Sequence, residues 1–282
     1  MVTPPDNAPP VHTPPDKTPP DKTAPDRTAP GRTVPEKTVP GRTPPDDDIL
    51  RALSLHHAHG GSPALVDVSL TVREGEILAV TGPRGSGKTT LLNCLSGHLV
   101  PDDGEVWFTG VPVHTMGALT RERLRRDRFA WISSAPDLVP ELTAWENTAL
   151  PLLLRGEGHK AAKATALEWL ERLDIGPVAR KRPAALLQAQ RQRVAIARAL
   201  ATSPSVLFAD EPTAPLHRPD AAQVLRTLTT AARSHSLTVV LATHDPEVAA
   251  LADRAVPLLD GRRAATAAVP GAEGRAACSL SA

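Results

Sequence analysis

Short apolar runs and amphipathic stretches alternate along the chain from about residue 49 to residue 262. Ile77-Leu78-Ala79-Val80 and Val206-Leu207-Phe208-Ala209 are wholly apolar and Thr238-Val239-Val240-Leu241-Ala242 nearly so, which predicts strands buried on both faces. Residues 50–55 and 64–72 predict two further strands joined by a loop over 56–63, and residues 105–108 and 129–132 two short ones. Helices are predicted over 89–97, 119–128 (short and basic), 143–154, 161–173, 188–201, 221–233 and 246–252. The fourth of these is amphipathic, with apolar residues three and four apart. Strands alternating with helices, split by a helical stretch, predict an α/β domain at 49–262 with a helical insert at about 119–199.

Both ends break the pattern. From Thr13 to Arg42 a five-residue unit, Thr-x-Pro-x-Lys/Arg, recurs. Proline this dense removes amide donors and forbids helix, and the interleaved charges leave nothing to bury. Residues 1–48 are therefore expected to be a disordered, partly polyproline-II spacer, with a period too short and too polar to stack as a solenoid. The Ala/Gly-rich residues 263–282 lack periodicity and predict a flexible tail.

Composition narrows the classes. The chain has no Tyr and 2% aromatic residues, so its core must come from Leu, Val, Ile and Ala. A formal net charge of +1 argues against a nucleic-acid partner. Cys94 and Cys278 lie far apart, which is cytosolic usage; Cys94 reads as a small buried residue. No apolar run approaches the ~18 residues of a membrane span, and Met1-Val2-Thr3-Pro4-Pro5 does not begin a signal peptide. The expectation is a cytoplasmic chain that reaches a membrane only through a partner. Three histidines in the 56–63 loop lack the carboxylate or cysteine set that would complete a metal site, so a flexible loop is expected there.

The candidate chemistry centres on Gly82-Pro83-Arg84-Gly85-Ser86-Gly87-Lys88-Thr89, followed by Thr90. It fits the phosphate-binding pattern G-x-x-x-x-G-K-[ST] at every fixed position, between a predicted strand and a predicted helix. Glycines let successive N–H groups turn toward a polyphosphate, and the helix adds its positive end. Lys88 would meet the β- and γ-phosphates, and the Thr89 hydroxyl would ligate Mg2+. ATP with Mg2+ is the implied ligand.

With these stretches in place the chain resembles the ATP-binding subunits of ABC transporters, in particular the lipoprotein-release and macrolide-exporter type, over about residues 50–262. The resemblance rests on Gly82 to Val106, on Glu141-Leu142-Thr143-Ala144-Trp145-Glu146-Asn147 and on the order of the motifs. It implies a P-loop NTPase fold with a RecA-like core, a β-subdomain and an inserted helical subdomain. It implies that Asp210 holds Mg2+ through water, that Glu211 polarises the attacking water and that His244 reaches the γ-phosphate. The adenine-stacking aromatic falls at His57 or its neighbour.

Four positions depart from the family pattern. The signature Leu-Ser-Gly-Gly-Gln is Leu186-Leu187-Gln188-Ala189-Gln190, so a hydroxyl donor is lost and two Cβ atoms are added where glycine permits close approach. The Q-loop glutamine falls at Ser134, the D-loop aspartate at His217 and the stacking Tyr at a histidine. The resemblance implies a membrane permease subunit and a second ATPase subunit as partners. An intact phosphate loop beside an eroded signature favours a heterodimer. The alternative is a non-catalytic, ATP-binding regulatory or assembly module.

Overall fold

The computed structural model describes residues 48–264, so the readings made for both tails lie outside the described residues. A four-stranded antiparallel sheet is built from β1 (Asp48–His59), β2 (Ser62–Arg73), β4 (Asp103–Phe108) and β5 (Val111–Pro112), in the order β2-β1-β4-β5. A six-stranded sheet joins β3 (Ile77–Thr81), β6 (Phe129–Ile132), β7 (Val206–Asp210), β8 (Thr238–Thr243), β9 (Arg254–Leu259) and β10 (Arg262–Arg263), in the order β10-β9-β3-β8-β7-β6. All its neighbours are parallel except β9 and β10.

The apolar strands are buried on both faces because successive side chains serve different cores. In β7, Val206 and Phe208 point into one cluster and Leu207 and Ala209 into the other; Val240 and Leu241 of β8 divide in the same way. The first core is shared with the antiparallel sheet and encloses α1 (Lys88–Leu95) through Leu91, Leu92 and Leu95. Cys94 lies in it at 1% exposure, and burial pushes its thiol up to about 12. The second core lies under α3 (Ala144–Leu154), α4 (His159–Arg172), α5 (Gln188–Ala201) and α6 (Arg218–Ser234).

Element boundaries follow local chemistry. Thr143 and Glu146 form a capping box at the start of α3: the Thr143 N–H donates to Glu146 Oε2 at 2.8 Å, and the Glu146 N–H donates back to Thr143 Oγ1. The Thr143 hydroxyl, which donates to Glu146 Oε2 at 2.6 Å, and after it the Thr143 N–H hold the Glu146 carboxyl below its ordinary range. The expected loop at 56–63 is mostly strand. β1 and β2 extend as a hairpin to a two-residue turn at Gly60 and Gly61, both at positive φ, as a primed turn requires. The helix α2 (Ala118–Arg128) ends directly in β6, a strand of the main sheet, so the helical segment inserted between β6 and β7 runs from α3 to α5. The strands β5, β9 and β10 were not expected from the sequence. Pro257 inside β9 masks it, because proline is rare within ladders. The last helix, α7 (Pro246–Ala249), is shorter than predicted.

Candidate functional site

The strands β3, β7 and β8 run in parallel, and their C-terminal ends deliver the candidate residues to one edge, where ligands of open α/β sheets bind. Thr81 of β3 leads into the phosphate loop, β7 ends at Asp210, and β8 ends at Thr243 just before His244.

The glycines at 82 and 87 are required by space as well as by φ. A Cβ on Gly82 would lie 2.1 Å from the Leu258 carbonyl oxygen, and one on Gly87 would lie 2.3 Å from that of Ala64. The Lys88 ammonium is 6% exposed and donates to the carbonyl oxygens of Gly82 and Pro83, both at 2.8 Å. Its Nζ stands 3.8 Å from Glu211 Oε1. Those short bonds keep the cation folded against its own loop, within reach of an anion cradled there. The Ser86 hydroxyl is buried with no partner. Pro83, Arg84 and Gly85 form the exposed rim.

Across the loop the Thr89 hydroxyl donates to Asp210 Oδ2 at 2.8 Å. Burial raises the Asp210 carboxyl above its ordinary range, the Thr89 bond opposes this, and the Glu211 charge adds to it. Its second oxygen, Oδ1, is buried without a partner. A buried carboxylate with a free oxygen beside a hydroxyl is a hard donor pair that fits Mg2+, which keeps several waters or phosphate oxygens of its own. Glu211 follows at φ 47°, an uncommon backbone for a side-chain-bearing residue, and its N–H is held by the Ala242 carbonyl at 3.0 Å. Its Oε1 lies 2.8 Å from His244 Nδ1. The structure thus brings Lys88, Thr89, Asp210, Glu211 and His244 together.

His57 is not part of this group. Its side chain is 11% exposed and turned toward Asp102, with Nδ1 3.4 Å from Oδ1. Its neighbour His59 is exposed, and its Nε2 lies 3.2 Å from the Thr90 hydroxyl at the phosphate-loop helix. The cause is a bulge at Ser54, which has φ 44°. Before it the even-numbered Leu50 and Ala52 face inward, and after it the odd-numbered Leu55 and His57 do. The inward-facing ring is thus that of His57 and the outward-facing one that of His59. Asp102, which also accepts the Ala58 N–H at 2.8 Å, was missed by sequence reasoning. A turn aspartate carries no signal of such a contact.

A family model described as ABC transporter matches residues 65–214, more than half of the chain. The chain belongs to the ABC transporter family. This cassette is 39% identical over 217 residues to the lipoprotein-releasing system ATP-binding protein LolD of Bordetella pertussis, covering 76% of this chain and 94% of that protein. It is 40% identical over 198 residues to the ABC transporter ATP-binding protein YbbA of Escherichia coli K12, covering 70% and 87%. Among solved structures, the dimeric post-hydrolysis ATP-binding cassette MJ0796 bound to ADP and Pi matches with a TM-score of 0.71 at 32% identity, covering 76% of this chain and 96% of that one. The cassette is an ATP-binding subunit of an ABC transporter.

The divergent residues Leu187, Gln188, Ser134 and His217 of the cassette lie at its surface. Leu187 is the N-cap of α5 and is 72% exposed. Its N–H donates to Gln190 Oε1 at 3.0 Å, which is one arm of a capping box; an aliphatic side chain cannot supply the other. Gln188 is exposed beside it. Ser134 is exposed in the loop after β6, and His217 caps α6 without a side-chain bond.

Proposed function

We propose that this cassette binds MgATP at the phosphate loop and couples its binding and hydrolysis to a separate membrane permease, with weak turnover unless a second ATPase subunit completes its site. The observation that carries the reading is the contrast between the assembled cluster around Glu211 and the exposed, donorless Leu187. Bound MgATP supplies the phosphoryl group and the charge-neutralising metal. The backbone from Gly82 to Gly87 cradles the phosphates, Lys88 shifts from its carbonyls to the β- and γ-oxygens, and Thr89 and Asp210 hold the metal. Glu211 polarises and accepts a proton from the attacking water, and the His244 ring keeps its carboxylate aimed. His59, at the open edge of the hairpin, is the residue that faces the base.

A second subunit with an intact signature would lend the hydroxyl and amide donors that the α5 end here does not supply. In a homodimer both sites would be short of them. A heterodimer is therefore favoured, docked with its permease at the inner face of the plasma membrane. None of the helices among the described residues is long and apolar enough to cross it. The second reading, a non-catalytic ATP-binding regulatory module, is favoured by Ser134, Leu187 and His217 taken together.

ATP turnover of the chain alone, with the permease, and with a paralogous cassette separates the readings, each measured also for Glu211→Gln. A rate that appears with the partner and is lost in Glu211→Gln supports hydrolysis at this site. Rates insensitive to Glu211→Gln in every assembly establish the regulatory module.

A further inference from the structure

Beyond the Ser54 bulge the hairpin of β1 and β2 outruns the rest of its sheet. The last pair that β1 makes with β4 is His56 with Asp103, so the arm from His57 to Ser62 is two-stranded. Its turn glycines, Gly60 and Gly61, have open space where a Cβ would stand. A two-stranded arm is at best marginally stable by itself, yet its last histidine, His59, is set 3.2 Å from the Thr90 hydroxyl. One residue outside the arm accounts for the placing. Asp102, in the turn between α1 and β4, donates its N–H to the His56 carbonyl at 2.9 Å and accepts the Ala58 N–H on Oδ2 at 2.8 Å.

Asp102 is itself anchored from two sides. The turn that carries it packs on the bulge: a Cβ on Gly104 would lie 2.4 Å from the Ser54 carbonyl oxygen. The same turn continues the chain leaving α1, whose Asn93 carbonyl accepts the Leu99 N–H at 3.0 Å. The first turn of α1 therefore meets the arm at His59, and the chain beyond its other end meets the arm at His56 and Ala58. A carboxylate that is 58% exposed adds little to the core. What it supplies is an acceptor that fixes the strand at Ala58, one residue before His59. The His57 ring is not needed for this hold, because its Nδ1, 3.4 Å from Asp102 Oδ1, makes no hydrogen bond.

We propose that Asp102 is a positioning residue for the base of the nucleotide: by holding the main chain at His56 and Ala58 it sets the height of His59 above the phosphate loop. It stands apart from the group formed by Lys88, Thr89, Asp210, Glu211 and His244. Its effect is therefore confined to the part of the ligand that a bare polyphosphate lacks. The proposal rests on the reading of His59 as the residue that faces the base, and its test keeps the two apart.

Titration calorimetry of the full chain with MgATP and with magnesium tripolyphosphate separates the base from the phosphates. Asp102→Ala should weaken MgATP binding about two- to ten-fold, the range for losing one hydrogen bond, and leave tripolyphosphate affinity unchanged. If that variant does not fold, Asp102→Ser, too short to reach the Ala58 N–H, replaces it. Asp102→Asn keeps an acceptor for Ala58 and should restore most of the MgATP affinity. In a His59→Ala background Asp102→Ala should have no further effect, because the two residues act in series. A merely structural role would weaken both ligands alike, which overturns the proposal. So does an Asp102→Ala that binds MgATP as the wild type does, an Asp102→Asn as weak as Asp102→Ala, or a full additive loss in the His59→Ala background. If His59→Ala alone keeps the wild-type preference for MgATP over tripolyphosphate, the base-facing reading of His59 fails and the proposal with it. A wild type that binds neither ligand removes the nucleotide reading itself.

Discussion

The Thr89 hydroxyl donates to Asp210 Oδ2 at 2.8 Å, joining the first turn of α1 to the end of β7 across 121 positions of sequence. That bond accounts for one oxygen of a carboxylate whose other oxygen is buried and alone. Burial raises the Asp210 carboxyl above its ordinary value of 3.8. The sign follows directly. Below 3.8 the group is protonated in both folded and unfolded chains and carries no penalty. As pH rises above 3.8 the unfolded chain ionises while the folded group keeps its proton, so stability falls until the folded value is passed and the native state holds a desolvated charge. Asp210→Asn keeps an acceptor for Thr89 and removes that charge. In metal-free protein at neutral pH it should melt higher, by about 1 kcal/mol or roughly 2–4 °C. The gain should vanish in acid, and MgATP should stabilise the variant less than the wild type. Calorimetry at two pH values, with and without MgATP, checks this.

The exposed end of α5 offers a gain-of-function test. Leu187→Ser with Gln188→Gly and Ala189→Gly restores one hydroxyl donor and two close-approach amides. A hydrogen bond to a charged phosphate is worth about 1.5–3 kcal/mol, so turnover of the purified chain should rise by about 10–100-fold at equal nucleotide affinity. An unchanged steady-state rate would show that the signature is not what limits it.

His59 and His57 make opposite predictions for nucleotide affinity. His59→Ala should weaken MgATP binding by about 1 kcal/mol, roughly five-fold, and His59→Tyr should strengthen it by a similar amount. His57→Ala, which removes a ring turned inward toward Asp102, should lower thermal stability and leave affinity within about two-fold. Titration calorimetry on the three variants distinguishes the rings.

Ser203, just past the end of α5, is exposed at φ 46°, and its N–H bonds back to the Leu200 carbonyl at 3.0 Å. A left-handed residue closing a helix suits glycine. Ser203→Gly should stabilise the chain by about 1 kcal/mol, or roughly 2–4 °C in melting midpoint, without altering nucleotide affinity.

These residues also show where the sequence was readable. The strand β7 and the helix α5 declare themselves: Val206-Leu207-Phe208-Ala209 can only be buried on both faces, and α5 spans the same residues its pattern predicts. The phosphate loop and the two carboxylates follow, because each sits at a strand end that apolar composition alone locates. The hairpin was less legible because its geometry is not periodic. A single extra residue at Ser54 inverts the inward phase of β1, and which histidine faces the site depends on that inversion. The strand β9 was hidden by Pro257 and by Arg254, whose guanidinium is held by Glu76 Oε1 at 2.8 Å. Tertiary pairing with β3 makes that segment a strand despite its composition.

The near-contacts of Gly82 with Leu258 and of Gly87 with Ala64 give the phosphate loop a second duty. It is wedged between the last long strand of one sheet and the hairpin of the other, so it serves as the keystone of the arch as well as the ligand grip. A methyl group added at either glycine would press the two sheets apart before any nucleotide was met. Loss of ATP binding in Gly82→Ala or Gly87→Ala would therefore measure masonry as much as recognition, whereas changes at Arg84, on the open rim, would report on the ligand alone.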